Sequence, residues 1–153
     1  ALMNRSIIAV ATDREINARL NKRLNRTEFM PFAPVITRER VGDVFKLPNA
    51  DVSENLKYMT ITLEVEEKWQ NAIPAVVHVD GTARPQVIDN EDNPLAYKIL
   101  REYETRTGIP VLVNTSFNVH EEPIVLGLQS GFDALINKRV DVLALPNYIC
   151  KSK

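Results

Sequence analysis

Val111-Leu-Val-Asn114-Thr115-Ser116-Phe117-Asn118 is a short apolar run that stops abruptly at amides and hydroxyls. Val111, Leu112 and Val113 read as a buried strand. Asn114, Thr115, Ser116 and Asn118 then place donors and acceptors where that strand should end. In open α/β sheets, ligands gather beyond the carboxyl ends of the strands, so the segment is a candidate polar ligand site. It suits a self-capped turn equally well, because Asn, Ser and Thr bond their own backbone in loops. From these residues alone the two readings stand level.

Working outward, Asn93-Pro94 is a helix start, with Asn93 as the cap and Pro94 at the first helical position. Tyr97, Leu100, Tyr103 and Glu104 mark the faces of this helix, which should end at Thr107-Gly108 before Ile109-Pro110 enters the strand. Near the start of the chain, Ile7 to Ala11 is either a strand or a turn of buried structure. Asp13 suits the cap of a helix to about Leu24, with Ile16, Leu20 and Leu24 as its apolar stripe. Arg26-Thr-Glu-Phe-Met-Pro-Phe-Ala-Pro34 is a rigid apolar connection, with Phe29, Met30 and Phe32 turned inward, leading to a strand at Val35-Ile36. Thr37 to Glu54 reads as a short helix or irregular segment, with a loop from Pro48 to Ser53. Lys57 to Val65 alternates cleanly: Tyr58, Thr60, Thr62 and Glu64 share one face, and Met59, Ile61, Leu63 and Val65 the other. Trp69 is a packing anchor. Ile73 to Asp80 reads as another β-rich run closed by a turn at Gly81, with Val87 and Ile88 extended after it. Towards the end, Gln129-Ser130-Gly131 suggests a turn, Phe132 to Asn137 a helix, Val140 to Leu145 a last strand, and Tyr148 to Lys153 a tail. The sum is a single α/β domain.

The 153 residues carry a net charge of -1, so no global field attracts nucleic acid or an anionic membrane. One cysteine, Cys150, excludes an intrachain disulfide and any CxxC motif. No apolar run is long enough to span a bilayer and no secretory signal opens the chain, which points to a reducing, cytoplasmic setting. The first residue is Ala1 rather than methionine, which suggests a piece of a longer protein.

Three segments carry chemistry. They are Lys22 with Arg26, the stretch His78-Val-Asp-Gly-Thr-Ala-Arg-Pro-Gln86, and Asn114 to Asn118. Cations, a glycine turn with free amides, and small polar side chains suit an anion such as phosphate, pyrophosphate or carboxylate. Arg26 precedes a rigid piece of backbone, a good mount for a guanidinium that meets phosphate at two points. Ser116 has no GxSxG elbow, the two histidines His78 and His120 show no metal-ligand spacing, and there is no Walker or GxGxxG loop. His78 alternates with Val77 and Val79 and suits a sheet position as well as a site.

At these same segments the sequence resembles the C-terminal domain of the O-carbamoyltransferase family, which includes nodulation-factor and antibiotic carbamoyltransferases. The landmarks are Ala1-Leu-Met-Asn-Arg-Ser-Ile7, Arg26-Thr-Glu-Phe-Met-Pro-Phe-Ala-Pro34, His78 to Gln86, Asn114-Thr-Ser-Phe-Asn118 and Glu122-Pro-Ile-Val125. Met3 stands where glycine is usual, Met30 where arginine is frequent, and His120-Glu121 where many members have Arg-Gly.

The resemblance implies that residues 1–153 form a YrdC-like domain: a twisted, mostly β open sheet with flanking helices. It implies a parent protein with an N-terminal actin/hexokinase-like domain that holds the acceptor and any iron or other metal. The implied activity is formation of a carbamoyl-adenylate from carbamoyl phosphate and ATP, with Mg2+ carried by the nucleotide, before transfer to a hydroxyl acceptor. Ser116-Phe-Asn118 matches the family's Ser-x-Asn signature. Lys22, Arg26, Ser116 and Asn118 are the implied catalytic group. Arg84, Asn114, Thr115, His78, Asp80, Gln86 and Arg5 are the implied substrate-binding group, with Asn114 holding phosphate or carbamoyl oxygens. No metal ligand is expected in this domain. The partners implied are the two substrates and the N-terminal domain; a homodimer is compatible. An RNA-binding YrdC-like module, which the neutral charge argues against, and a non-catalytic assembly domain are the alternatives.

Overall fold

The computed structural model describes residues 2–27, 32–48 and 53–151. The chain opens with β1 (Ser6–Val10), α1 (Ile16–Arg23) and β2 (Ala33–Thr37), then a 3-10 turn at Arg38–Arg40 and three short elements: α2 (Val41–Val44), α3 (Ser53–Leu56) and β3 (Leu63–Glu64). Next come α4 (Glu67–Gln70), a 3-10 turn at Pro74–Val76, β4 (Thr82–Ala83) and β5 (Gln86–Ile88). The longest helix, α5 (Pro94–Thr107), feeds β6 (Val111–Ser116), and α6 (Leu128–Ile136), β7 (Val142–Leu145) and β8 (Tyr148–Lys151) complete the chain.

β6 is an inner strand of the main sheet, whose order is β1-β6-β2-β5. It is antiparallel to β1, with Ser6 opposite Ser116, and to β2, with Ala33 opposite Asn114. β2 and β5 are parallel from Val35 opposite Gln86. Pro34 thus lies where β2 has only β6 beside it, which a residue without an N–H tolerates. The period of two divides the apolar side chains between two cores. Val111, Val113, Ile36 and Val87 face the larger one, with Leu20 of α1, Leu24 just after it, and Ala134 and Leu135 of α6. Leu112, Val35 and Ile88 face Ala96 and Leu100 of α5. This two-sided burial explains why Val111 to Val113 is continuously apolar rather than alternating. The fold is mixed α/β in a single domain.

The helix from Asn93 to Gly108 matches its sequence signals. Asn93 Oδ1 accepts from the Ala96 N–H at 3.1 Å, and Gly108 adopts the left-handed φ of 74° that ends the helix. Asp13 likewise accepts from the Glu15 N–H at 2.9 Å at the entry to α1. Trp69 donates its indole N–H to the Asp43 carbonyl at 2.9 Å and packs at the edge of the larger core.

Four expectations are corrected. Lys57 to Val65 keeps the foreseen alternation of exposed and covered side chains, yet only Leu63–Glu64 is a strand, paired with two-residue β4. Met59, at φ 58°, breaks the extension. Ile73 to Asp80 is not β: Pro74 starts a 3-10 turn that buries Ala75 and Val76. Gln129-Ser130-Gly131 lies within α6 rather than in a turn; its glycine admits Leu143, which would sit 3.2 Å from a Cβ there. Tyr148 to Lys151 is not a tail but β8, the antiparallel partner of β7. The inward positions foreseen for Phe29 and Met30, and much of the Pro48 to Ser53 loop, lie outside the described residues. Among the described residues no helix is long and apolar enough to cross a membrane.

Asn93 also ties down the start of the chain. Its Nδ2 donates to the Leu2 carbonyl at 2.7 Å and to Asn4 Oδ1 at 3.2 Å. Leu2 and Met3 have left-handed φ values of 51° and 67°, so this segment is held against its own backbone preference. The glycine usual at the position of Met3 suits that φ. Asn93→Ala is expected to cost about 1–2 kcal/mol through the lost cap and tether, measured by urea unfolding. Asn93→Asp, which keeps the cap acceptor, should recover part of that loss.

Candidate functional site

The C-terminus of α1 decides where the cations go. Asn25 is left-handed, with φ 53°. The Arg26 N–H bonds the Asn21 carbonyl at 2.9 Å, and the Asn25 N–H reaches the Lys22 carbonyl at 3.5 Å. This crossed pair is a Schellman closure, which turns the chain away from the helix axis. Lys22 and Arg26 therefore do not share a helix face as the four-residue spacing suggested. Arg26 is carried to the end of β6, while Lys22 stays exposed on α1.

At the strand end, Arg26 Nη1 donates to Thr115 Oγ1 at 2.7 Å. Nη2 meets the Ser116 carbonyl at 3.0 Å, Ser116 Oγ at 3.1 Å, Asn118 Oδ1 at 3.1 Å and the Asn118 carbonyl at 3.2 Å. Every acceptor in these contacts is a neutral oxygen. The guanidinium also lies 5.7 Å from the centre of the Phe32 ring, within cation–π range. Asn118 Nδ2 donates to the Val119 and Glu122 carbonyls, each at 3.0 Å. The segment is thus a self-bonded turn whose polar strand end is also gripped by a cation.

Arg26 opens onto a cleft of about 420 Å³. Arg5, Arg26 and Arg84 line it with Ser6, Asn21, Gln86, Asn114, Thr115 and Ser116, and Leu2, Met3 and Met59 supply apolar wall. Among the described residues three arginines and no carboxylate line it, which gives this lining a positive potential in a chain of near-zero net charge. Arg5 donates to the Val125 carbonyl at 3.3 Å, which pins the far side of the loop that follows β6. In the cleft floor, Asn114 donates Nδ2 to Gln86 Oε1, and Gln86 donates Nε2 to the Lys57 carbonyl at 2.9 Å. Lys57 is itself held by Asp92 at 3.0 Å.

Seven of the expected site residues therefore share the cleft: Arg5, Arg26, Arg84, Gln86, Asn114, Thr115 and Ser116. Asn118 touches Arg26 but lines a separate cavity of about 480 Å³ between α6 and the loop after β6, where Glu122, Asp133 and Arg139 mix the charge. Lys22, His78 and Asp80 do not line the cleft. His78 Nδ1 pairs with Thr82 Oγ1 at 3.0 Å inside its own turn. Asp80 Oδ1 accepts from the Thr82 hydroxyl at 2.7 Å and its N–H at 3.0 Å, and these bonds hold its carboxyl below the usual aspartate range. This oxygen is thus committed to the turn. Sequence reasoning missed Asn21, Phe32 and Lys57. The first needed the Schellman closure to be foreseen, and the last acts through a backbone carbonyl that no motif marks.

The family model described as "Carbamoyltransferase C-terminus" matches residues 1–152. The nodulation protein NolO of Bradyrhizobium diazoefficiens is 33% identical over 154 residues, covering all of this chain and 28% of its own length. NolNO of Sinorhizobium fredii is 36% identical over 157 residues, again across the whole chain and 22% of its own length. An uncharacterised protein of Methanocaldococcus jannaschii is 39% identical over 149 residues, covering 97% of the chain and 28% of that protein. The chain thus spans about a quarter of the length of these curated relatives. The crystal structure of HypF from T. kodakarensis shares the fold, with a TM-score of 0.59 at 23% identity, over 86% of this chain and 16% of HypF.

The two cations separate in a simple titration. Arg26→Ala is expected to weaken binding of inorganic pyrophosphate by about tenfold or more. Lys22→Ala, at an exposed position, should leave it within about twofold. Calorimetry reads both, and equal losses would contradict the geometry.

Proposed function

The chain belongs to the carbamoyltransferase C-terminal family, and on that premise we propose that its cleft forms a carbamoyl-adenylate from carbamoyl phosphate and ATP. The observation that carries this reading is Arg26 fastened to Thr115, Ser116 and Asn118 in a cleft that two further arginines line. Loss of phosphate from carbamoyl phosphate, with water, gives carbamate. Attack of carbamate on the α-phosphorus of ATP gives carbamoyl-AMP and releases pyrophosphate. Both partners are anions, so the barrier contains a large repulsive component that fixed cations offset. Arg26 and Arg84 are the residues proposed to do so. An incoming phosphate oxygen would replace one of the loop oxygens on Arg26, with Thr115 Oγ1 placed to donate to it; Ser116 Oγ, which donates to Asn118 Oδ1 at 2.5 Å, would donate to the phosphate on giving up that bond.

Mg2+ prefers carboxylate, phosphate and water oxygens. Among the described residues the cleft lining supplies no carboxylate, and no cluster of three metal-ligating side chains occurs. Such an ion would therefore be held by the nucleotide's phosphates and water, and Arg26 would work beside it. Transfer of the carbamoyl group to a hydroxyl acceptor is proposed for a parent protein, whose N-terminal domain would bind that acceptor.

Incubating the chain with ATP, Mg2+ and carbamoyl phosphate should release pyrophosphate that depends on carbamoyl phosphate. Arg26→Ala and Ser116→Ala are each expected to reduce the rate by about 10²-fold or more, the scale of a lost oxyanion donor. Turnover unchanged in both variants would remove the assignment.

A further inference from the structure

Asn114 and Gln86 are two amides sealed into the floor of the cleft, 4% and 1% exposed. Their orientations are not independent. The Lys57 carbonyl only accepts, so Gln86 must point Nε2 at it, 2.9 Å away. Gln86 therefore turns Oε1 to Asn114, and Asn114 must answer with Nδ2. The other end of the Asn114 amide is Oδ1, a buried acceptor with no hydrogen-bond partner. Buried polar atoms are nearly always paired, so one without a partner among the described residues, on a side chain that lines a cleft, calls for a reason.

Fully ionised phosphate oxygens cannot supply it, being acceptors themselves. An N–H can. We infer that Asn114 Oδ1 receives an N–H of the carbamoyl amide and selects a carbamoyl group over an acyl group of the same shape. The inference rests on reading the cleft as a carbamoyl phosphate site, and it reverses the polarity expected of Asn114 from sequence, where it was to hold oxygens. Acetyl phosphate differs from carbamoyl phosphate at the decisive point: a methyl replaces the NH2 at nearly equal size. A site built around a hydrogen bond rejects the analogue that lacks it, because its own buried group is then left unpaired. Gln86 acts here as a positioning residue, since it sets which end of Asn114 faces the ligand. The adenine amino group is the other N–H available in this chemistry.

The test is calorimetric titration of the chain with carbamoyl phosphate, acetyl phosphate and inorganic phosphate, and with ATP against inosine triphosphate. The wild type is expected to bind carbamoyl phosphate about 10- to 100-fold more tightly than acetyl phosphate. In Asn114→Leu the ratio should fall to within about threefold, and Gln86→Met, which keeps Asn114 but frees its amide to turn over, should reduce it similarly. Thermal melts check that both variants fold. A wild-type ratio near one with phosphate still bound would overturn the inference and leave the anion cleft standing. So would a ratio that survives Asn114→Leu. Loss of ATP preference over inosine triphosphate in Asn114→Leu, with the carbamoyl ratio intact, would overturn it in favour of the adenine. Absence of binding by all the phosphate ligands would overturn the cleft reading itself.

Discussion

One guanidinium joins the two halves of this site. Arg26 lies beyond the end of α1, and its contacts with Thr115, Ser116 and Asn118 span about ninety positions of sequence to the end of β6. Without that link the loop after β6 would keep its own bonds, through Asn118 Nδ2 and the Val125 N–H to the Phe117 carbonyl, and the His120 N–H to the Leu24 carbonyl at 2.9 Å would still tie it to the end of α1, but the strand end itself would lose its cation. Hydrogen bonds to charged donors are stronger than neutral ones, and several on one rigid fork order both partners together. The Schellman closure at Asn25 is the backbone device that allows this, because it releases Arg26 from the helix register at the required point.

What the sequence made legible was local. The Asn93 cap, the left-handed Gly108 and the apolar run of β6 each announce themselves within a few residues, and each is where its signal said. The failures share a cause of a different kind. A strand needs a partner, and Lys57 to Val65 found the two residues of β4 and a single bridge from Val65 to Phe45, so the alternation of its faces survived while most of its pairing did not. Gly131 reads as a turn residue because glycine often is one; its actual reason is the approach of Leu143, a tertiary contact 12 residues away. β8 exists because β7 lies beside it, which no property of Tyr148 to Lys151 reveals.

The site divides along the same line. Ser116, Asn118, Arg26, Arg84, Asn114 and Gln86 stand out as polar or cationic residues at the ends of apolar runs, and the fold gathers them. Lys22 does not join Arg26 in lining the cleft, because helical spacing holds only while the helix lasts, and α1 ends one residue after it. His78 and Asp80 do not line the cleft, and His78 Nδ1 and Asp80 Oδ1 bond Thr82 within their own turn. The orientation of Asn114 was beyond sequence, since it depends on the carbonyl of Lys57 acting through Gln86. Positive potential and directional amides thus come from different elements: arginines from the chain's opening segment and loops, amides from β5 and β6.

The account is tested most directly by a crystal structure of the chain with carbamoyl phosphate and a non-hydrolysable ATP analogue bound. It predicts anionic groups in the cleft within hydrogen-bond reach of Arg26 and Arg84, with the loop oxygens on Arg26 partly displaced. Ligand seated instead in the cavity of Glu122 and Asp133, or at Lys22, with the contacts of Arg26 unchanged, would contradict it.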